Sequence, residues 1–415
     1  MLVYNILIRF YFFGIWIASF FSIKAKKWIE GRKNLRAQIG SFSFQQNNWI
    51  WFHCSSFGEF QEGRNLIEAF RAAYPNCKLL LTFFSPSGYE VNNKYAVVDL
   101  VLYLPLDKPE NAQFFLDKIR PKVVFFIRSD VWPNYIIEAS KRKIPVFLAS
   151  FTLTAGSSYL KFPVKNFYRN IFQKCKAIFV QNEEAAQILR DANFNSNILV
   201  TGSSRIDRII TISKEEFKSP ELEKFIGGDF CVIAGSTHSK DREIFLETYS
   251  NLKAENIKWI IVPHDIDKNE ILAAKRQMGE EMVCFSEIEG LTSKTKLLWI
   301  DKVGLLAKIY RYTNVVFIGG GFTKPGIHNI LEPAVYGCPV CFGPNHRKQK
   351  EALDLIQSRG AEVIQNAPDL SAFILKYKND KNVAEKTKVV NKNYLLKNAG
   401  GTNKIMKYLK ETENF

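Results

Sequence analysis

Residues 230–264 read FCVIAGSTHSKDREIFLETYSNLKAENIKWIIVPH. An apolar run (230–236) ends on Gly235-Ser236-Thr237-His238, a helical stretch follows, and a second apolar run (259–264) ends on Pro263-His264. Runs that are apolar at every residue belong to strands buried on both faces, and strands separated by helices pair in parallel. The pattern extends outward in both directions. Downstream lie LLWI (297–300), VVFIGGG (315–321), PVCFG (339–343) and AEVI (361–364). Upstream lie WIWFH (49–53), LLLTFF (79–84), VVFFI (123–127), VFLAS (146–150), AIFVQ (177–181) and ILVTG (198–202), with helical stretches at 62–74 and 134–143.

The two sets of strands predict an α/β protein of two Rossmann-like domains facing across a cleft. A chain of 415 residues is also longer than one hydrophobic core usually supports. The expected boundaries are a first domain at 24–207, a linker at 208–228 containing Pro220 and Gly227-Gly228, and a second domain at 229–415. A terminal helix near 403–410 either stays with the second domain or crosses back onto the first.

Residues 1–23 are strongly apolar, with Arg9 their only charge, and Lys24, Lys26, Lys27, Arg32, Lys33 and Arg36 follow. Charges placed after the apolar run argue against a cleaved signal peptide. A spanning helix and a helix lying in the membrane interface remain open, as does a buried core helix; membrane attachment with a cytoplasmic body is expected. The net charge of +16 calls for an anionic partner: nucleic acid, a membrane surface or a phosphorylated substrate. No nucleic-acid-binding module is visible. The seven cysteines are dispersed, and Cys338 and Cys341 bracket the apolar, strand-like Pro339-Val340, which fits a reducing compartment better than a metal knuckle.

Ligands of such folds bind beyond the carboxyl ends of the strands, and four motifs fall there. In His53-Cys54-Ser55-Ser56-Phe57-Gly58-Glu59, Glu59 enters the first turn of a helix. It is either a general base or the second half of a capping box with Ser56. Asp130, in Asp130-Val131-Trp132-Pro133-Asn134, reads locally as a helix cap. Ser236, Thr237 and His238 form a potential phosphate cradle at a helix start, without the lysine of a P-loop or a complete dinucleotide fingerprint. The glycines Gly319-Gly320-Gly321, followed by His328-Asn329-Ile330-Leu331-Glu332-Pro333, suggest close backbone approach to a ligand and a helix start near Asn329.

In this order, Ser-x-Gly-Glu, Trp-Pro-Asn, Ser-Thr-His and His-Asn-x-x-Glu-Pro resemble the 3-deoxy-D-manno-octulosonic acid (Kdo) transferase family over nearly the whole chain. The resemblance implies a GT-B fold, a CMP-Kdo donor, a lipid IV-A acceptor, no cofactor or metal, and an inner-membrane anchor facing the cytoplasm. It places Glu59 as catalytic base, with Asp130 and Arg205 supporting the transition state. CMP contacts are implied at Ser236, Thr237, His238, Pro263, His264, Val303, Gly304, Leu305, Gly320, Gly321, Asn329, Ile330, Leu331 and Glu332. The Gly304 segment is read as another helix start. The chain departs from the family pattern in several places. Pro263-His264-Asp265 lacks a usual arginine, Leu305 replaces an acid and Ile330 a proline. Asp130 is shorter than the usual glutamate, and Arg205 stands for a lysine. A transferase of another nucleotide sugar and a non-enzymatic basic protein are the competing readings.

Overall fold

The computed structural model describes the chain apart from residues 45–47, 129 and 195–196. It divides into two compact units, Met1–Arg208 with Asn398–Phe415, and Ile209–Lys397.

The first unit is built on seven parallel strands: β1 (Trp49–Cys54), β2 (Lys78–Phe83), β3 (Leu100–Tyr103), β4 (Val123–Ile127), β5 (Val146–Phe151), β6 (Ala177–Val180) and β7 (Ile198–Val200). Their order is β3-β2-β1-β4-β5-β6-β7. Alternate residues serve opposite faces, as the two-residue strand period requires. Trp51, Val124, Phe126 and Leu148 enter one core, while Ile50, Phe52, Phe125 and Phe147 enter the other. Each such aliphatic or Phe side chain contributes about 1.5–3 kcal/mol on burial. This double covering is why the strands read as unbroken apolar runs.

The second unit repeats the plan with β8 (Phe230–Thr237), β9 (Ile257–Pro263), β10 (Met282–Cys284), β11 (Leu297–Trp299), β12 (Val315–Ile318), β13 (Val340–Phe342) and β14 (Ala361–Val363), all parallel. The order here is β10-β11-β9-β8-β12-β13-β14. In each sheet one strand lies where the winding reverses, β1 between β2 and β4, and β8 between β9 and β12. A crevice opens at the carboxyl end of such a strand. β3 and β10 are additions to the strands expected from sequence.

Residues 208–228, expected as a linker, are largely helical. The helix Ser204–Lys214 runs through the unit boundary, and Pro220–Ile226 forms a second helix that buries Leu222 and Phe225. The terminal helix Gly401–Thr412 belongs to the first unit, where Ile405, Met406 and Leu409 join the core that holds Phe52 and Phe70. Its start is fixed by Asp207, whose carboxylate accepts the Gly400 N–H at 2.6 Å and the Thr402 N–H at 2.7 Å.

The N-terminal apolar segment forms a helix over Leu2–Ala18, 17 residues long. No helix among the described residues is long and apolar enough to cross a membrane. One side of Leu2–Ala18 is tied to the first unit. The Tyr4 hydroxyl donates to buried Asp107 at 2.6 Å, Asn134 donates to the Asn5 side chain at 3.0 Å, and Tyr11 stacks on Phe84. Leu2, Val3, Leu7, Phe10 and Phe13 remain exposed.

Replacing Asp207 by Ala removes both bonds to the start of the terminal helix, and bonds to a charged acceptor are worth about 1.5–3 kcal/mol each. The expected outcome is a loss of about 2–4 kcal/mol in urea unfolding, with early proteolytic release of residues after 398. An unchanged midpoint would show that the core contacts alone hold that helix.

Candidate active site

In the first unit, β1 and β4 deliver their following loops to the same crevice. The Ser56 hydroxyl caps the helix Phe57–Ala73 by accepting the Gly58 N–H at 3.1 Å, and it donates its own proton to Glu59. Glu59 thus receives a hydroxyl proton from its cap, which differs from the reciprocal backbone pattern of a capping box. Its other oxygen lies 3.7 Å from the Arg128 guanidinium, and the Glu59 side chain is 18% exposed. Arg128 adopts φ 66° directly after β4. A non-glycine residue in that region stores strain and is concentrated at functional sites.

Asp130 lies in the same crevice. Burial pushes its carboxyl above the ordinary range, a hydrogen bond from Ser55 draws it down, the Glu59 charge raises it and Arg128 lowers it. Two carboxylates and one guanidinium therefore share the switch point. Arg205 is on the first turn of Ser204–Lys214, half-exposed. A 2.8 Å bond between the Ser204 and Ser150 hydroxyls holds the start of that helix over the end of β5. Arg128 was not among the residues expected from sequence, because nothing in a single arginine after a strand distinguishes it from a solvated one.

In the second unit, Ser236 has φ 53° and Thr237 is buried at the end of β8. His238 precedes the helix Ser239–Asn251, which is 13 residues long. Asp241, fully buried, accepts the N–H of His238 and of Gly320, each at 2.8 Å. One carboxylate thereby joins the ends of β8 and β12.

The glycine-rich loop differs from the expectation of a ligand cradle. A Cβ on Gly319 would meet Ser236 O, one on Gly320 would meet Gly326 O, and one on Gly321 would meet the Gly343 backbone, all within 2.4 Å. These glycines are required by the chain's own backbone. Two expected helix starts also shrink to single turns, Leu306–Ile309 after Gly304-Leu305 and Leu331–Ala334 after Asn329-Ile330. Turns that short carry little dipole to attract phosphate. Ile330 and Leu331 are buried at 1% exposure, so their side chains face the core. Asn329 donates to Glu332 at 2.8 Å.

Three histidines converge beside this loop. His238 Nε2 and His328 Nε2 are 3.0 Å apart, and the His264 and His328 rings stack at 4.5 Å. Burial, then the neighbouring His264 and His238, lower the His328 pKa to about 4. Ring nitrogens of all three lie within 4.8 Å of one another. Such a set has the donor atoms for a zinc-like ion and, as neutral N–H donors, equally suits an anionic oxygen. An adjoining open pocket of about 290 Å³ is lined by Ser236, Pro263, His264, Lys302, Val303 and Gly304. His328 and Lys302 were missed from sequence. The former opens His-Asn-x-x-Glu-Pro, where nothing local signals its two histidine neighbours, and the latter is one lysine among many.

The family model described as "3-Deoxy-D-manno-octulosonic-acid transferase (kdotransferase)" matches residues 32–208. A 3-deoxy-D-manno-octulosonic acid transferase of Aquifex aeolicus is 26% identical over 356 residues, covering 84% of this chain and 92% of that one. A bifunctional glycosyltransferase/methyltransferase of Fusobacterium nucleatum is 26% identical over 363 residues, and the match covers 85% of this chain but only 56% of that protein. The fold matches UDP-GlcNAc 2-epimerase from Neisseria meningitidis with a TM-score of 0.62 at 15% identity, over 88% of this chain and 100% of that one. Two doubly wound units of seven parallel strands each give a GT-B-like fold. Residues 32–208 thus resemble the Kdo transferase family, and a relative bearing that name is similar over most of the chain.

Because folded His328 titrates near pH 4 and a free imidazole near about 6.5, the unfolded chain binds this proton more tightly. Stability from the neutral ring is complete above the unfolded pKa and is lost as pH falls from about 6.5 toward 4. His328→Gln should flatten that decline in the urea midpoint. An identical slope in the variant would remove His328 as a contributor.

Proposed function

We propose that this protein transfers Kdo from CMP-Kdo to lipid IV-A, with inversion at the anomeric carbon, in lipopolysaccharide synthesis at the cytoplasmic face of the inner membrane. The observation that carries the reading is the meeting of Glu59, Asp130 and Arg128 at the β1/β4 switch point, on the motifs that define the family resemblance. In this reading Glu59 accepts the proton of the attacking acceptor hydroxyl. The new bond forms at the anomeric carbon as its bond to the CMP phosphate breaks. CMP is a good leaving group, so catalysis consists mainly of deprotonation, positioning and compensation of charge. Asp130 and Arg205 support the transition state from the same unit.

The second unit holds the nucleotide. Ser236, Thr237, His238, Pro263 and His264 meet the phosphate, with main-chain groups of Val303, Gly304 and Leu305 at the pocket beside them. Asn329 and Glu332 face the ribose. Gly320 and Gly321 shape the loop, and Ile330 and Leu331 contribute through their backbone. Lys302 lines the same pocket as His264, so it supplies the cation that the missing arginine would otherwise bring. The histidine cluster serves as a set of N–H donors to phosphate oxygens, and no metal is needed in this scheme.

The helix Leu2–Ala18 attaches the protein to the membrane by lying in the interface. Its Tyr4 and Asn5 side is committed to the first unit, its opposite side is apolar and exposed, and Lys24, Lys26 and Lys27 follow. Cations beside an anionic leaflet add about 1 kcal/mol each.

Purified protein with CMP-Kdo and lipid IV-A should yield Kdo-modified lipid, and Glu59→Gln should lower kcat by about 10²–10⁴-fold with its fold retained by circular dichroism. Equal product from both proteins would remove Glu59 as base. Tight binding of UDP without CMP would replace the donor by another nucleotide sugar. For the helix, Phe10→Glu combined with Phe13→Glu should abolish most co-sedimentation with anionic vesicles at unchanged thermal stability. Undiminished sedimentation would move the membrane contact elsewhere.

A further inference from the structure

His53 is fully buried at the end of β1, yet it has a hydrogen-bond partner on each ring nitrogen. Thr82 Oγ1 lies 2.8 Å from Nδ1, and Ser55 Oγ lies 3.2 Å from Nε2. Two further contacts fix the direction of the protons. Trp51 Nε1 is 2.8 Å from Thr82 Oγ1, and an indole nitrogen only donates. Ser55 is hydrogen-bonded to Asp130, and an ionised carboxylate only accepts.

The single Thr82 hydroxyl proton then has two candidate acceptors, His53 Nδ1 at 2.8 Å and the Phe52 carbonyl at 3.5 Å. The shorter contact takes it. Nδ1 is thus the acceptor, and the proton of the neutral ring resides on Nε2. Neutrality itself follows from burial, reinforced by the nearby Arg32 charge, which lowers the imidazole pKa to about 3. Nε2–H donates to Ser55 Oγ, leaving the Ser55 proton for Asp130. A hydrogen bond to the Thr82 carbonyl pulls in the opposite sense, as an Nδ1–H tautomer donating there would. That tautomer would leave Ser55 with one proton for two acceptors, Nε2 and the Asp130 carboxylate. The count permits it only when Asp130 is itself protonated.

We infer that Trp51, Thr82, His53, Ser55 and Asp130 form one directed hydrogen-bond chain, in which His53 is a positioning residue that turns the Ser55 hydroxyl onto the Asp130 carboxylate. His53 also meets Trp132, in the Asp130 loop, edge-to-face at 4.9 Å, so the ring fixes that loop from two sides. The inference rests on the proposed role of Asp130 in Kdo transfer. Among the described residues, the charged and titratable groups around the chain are Cys54, Glu59, Arg128 and Tyr159 toward Asp130, and Arg32 toward His53.

The test compares full-length wild type, Ser55→Ala, His53→Phe and the double variant on lipid vesicles. Each single variant should lower kcat by about tenfold with KM for donor and acceptor nearly unchanged, and the double variant should be no slower than the slower single. The acid limb of the kcat profile should move to higher pH in all three, because the bond that draws Asp130 down is lost. Multiplying effects, or an acid limb that stays in place, overturn the proposal. Should His53→Phe fail to fold, Thr82→Val replaces it, with the same direction expected. Independently of any substrate, ¹⁵N-histidine spectra of the wild type at neutral pH should show His53 as the neutral Nε2–H tautomer. An Nδ1–H tautomer there overturns the chain. A folded but inactive wild type counts against the transferase reading, and the tautomer still decides the chain.

Discussion

Everything in this protein depends on the burial of two parallel sheets on both faces. Parallel strands in that setting have their backbone groups satisfied within the sheet and their side chains consumed by the two cores. Trp51, Phe52, Phe125 and Phe126 occupy such positions and are all inaccessible. Functional groups are therefore displaced to the carboxyl ends, and the reversal of winding selects which ends. The Glu59 and Asp130 loops follow neighbouring strands at one reversal, and the Ser236–His238 and Gly319–Gly321 loops do so at the other.

The strand ends are where the backbone departs from ordinary conformations. Arg128, Ser150 and Ser236 all take positive φ immediately after or within the last residues of β4, β5 and β8. Each departure costs about 1–3 kcal/mol, and each is held by local bonds: Arg128 N–H to Ala149 O, Ser150 to Ser204, and the β8 end through Asp241. The cores beneath supply the rigidity against which this strain can be maintained. A loop that tied down its own ends less firmly would relax and lose the aim of its side chains.

How much of this is legible in the sequence follows from the same physics. The fully apolar runs give their strands away, and VVFFI at 123–127 coincides with β4. β3 and β10, edge strands of four and three residues, escape, whereas the equally short edge strands β7 and β14 show in their apolar runs. Glu59 and Asp130 are visible as motif members, but their proximity to Arg128 is tertiary and has no local signal. The glycines of 319–321 invite a ligand-cradle reading because a missing Cβ permits close approach. Sequence cannot say whether the approaching atoms belong to a ligand or to Gly326 and Gly343.

Motif residues need not share a motif's chemistry. Asn134, the last residue of Trp-Pro-Asn, donates to the Asp107 carbonyl at 2.7 Å and to Asn5 at 3.0 Å, and its own N–H reaches the Asp107 carboxylate. Asp107 is fully buried, which raises its pKa to about 6, while the bonds from Tyr4, Asn134 and Tyr135 draw it down. A buried carboxyl with three donors is stable only while those donors stay in place. Two of them come from the start of Pro133–Lys141 and one from the N-terminal helix. The Asp130 loop and the apolar helix are thus fastened to one buried acid, and the helix is part of the framework that aims the site.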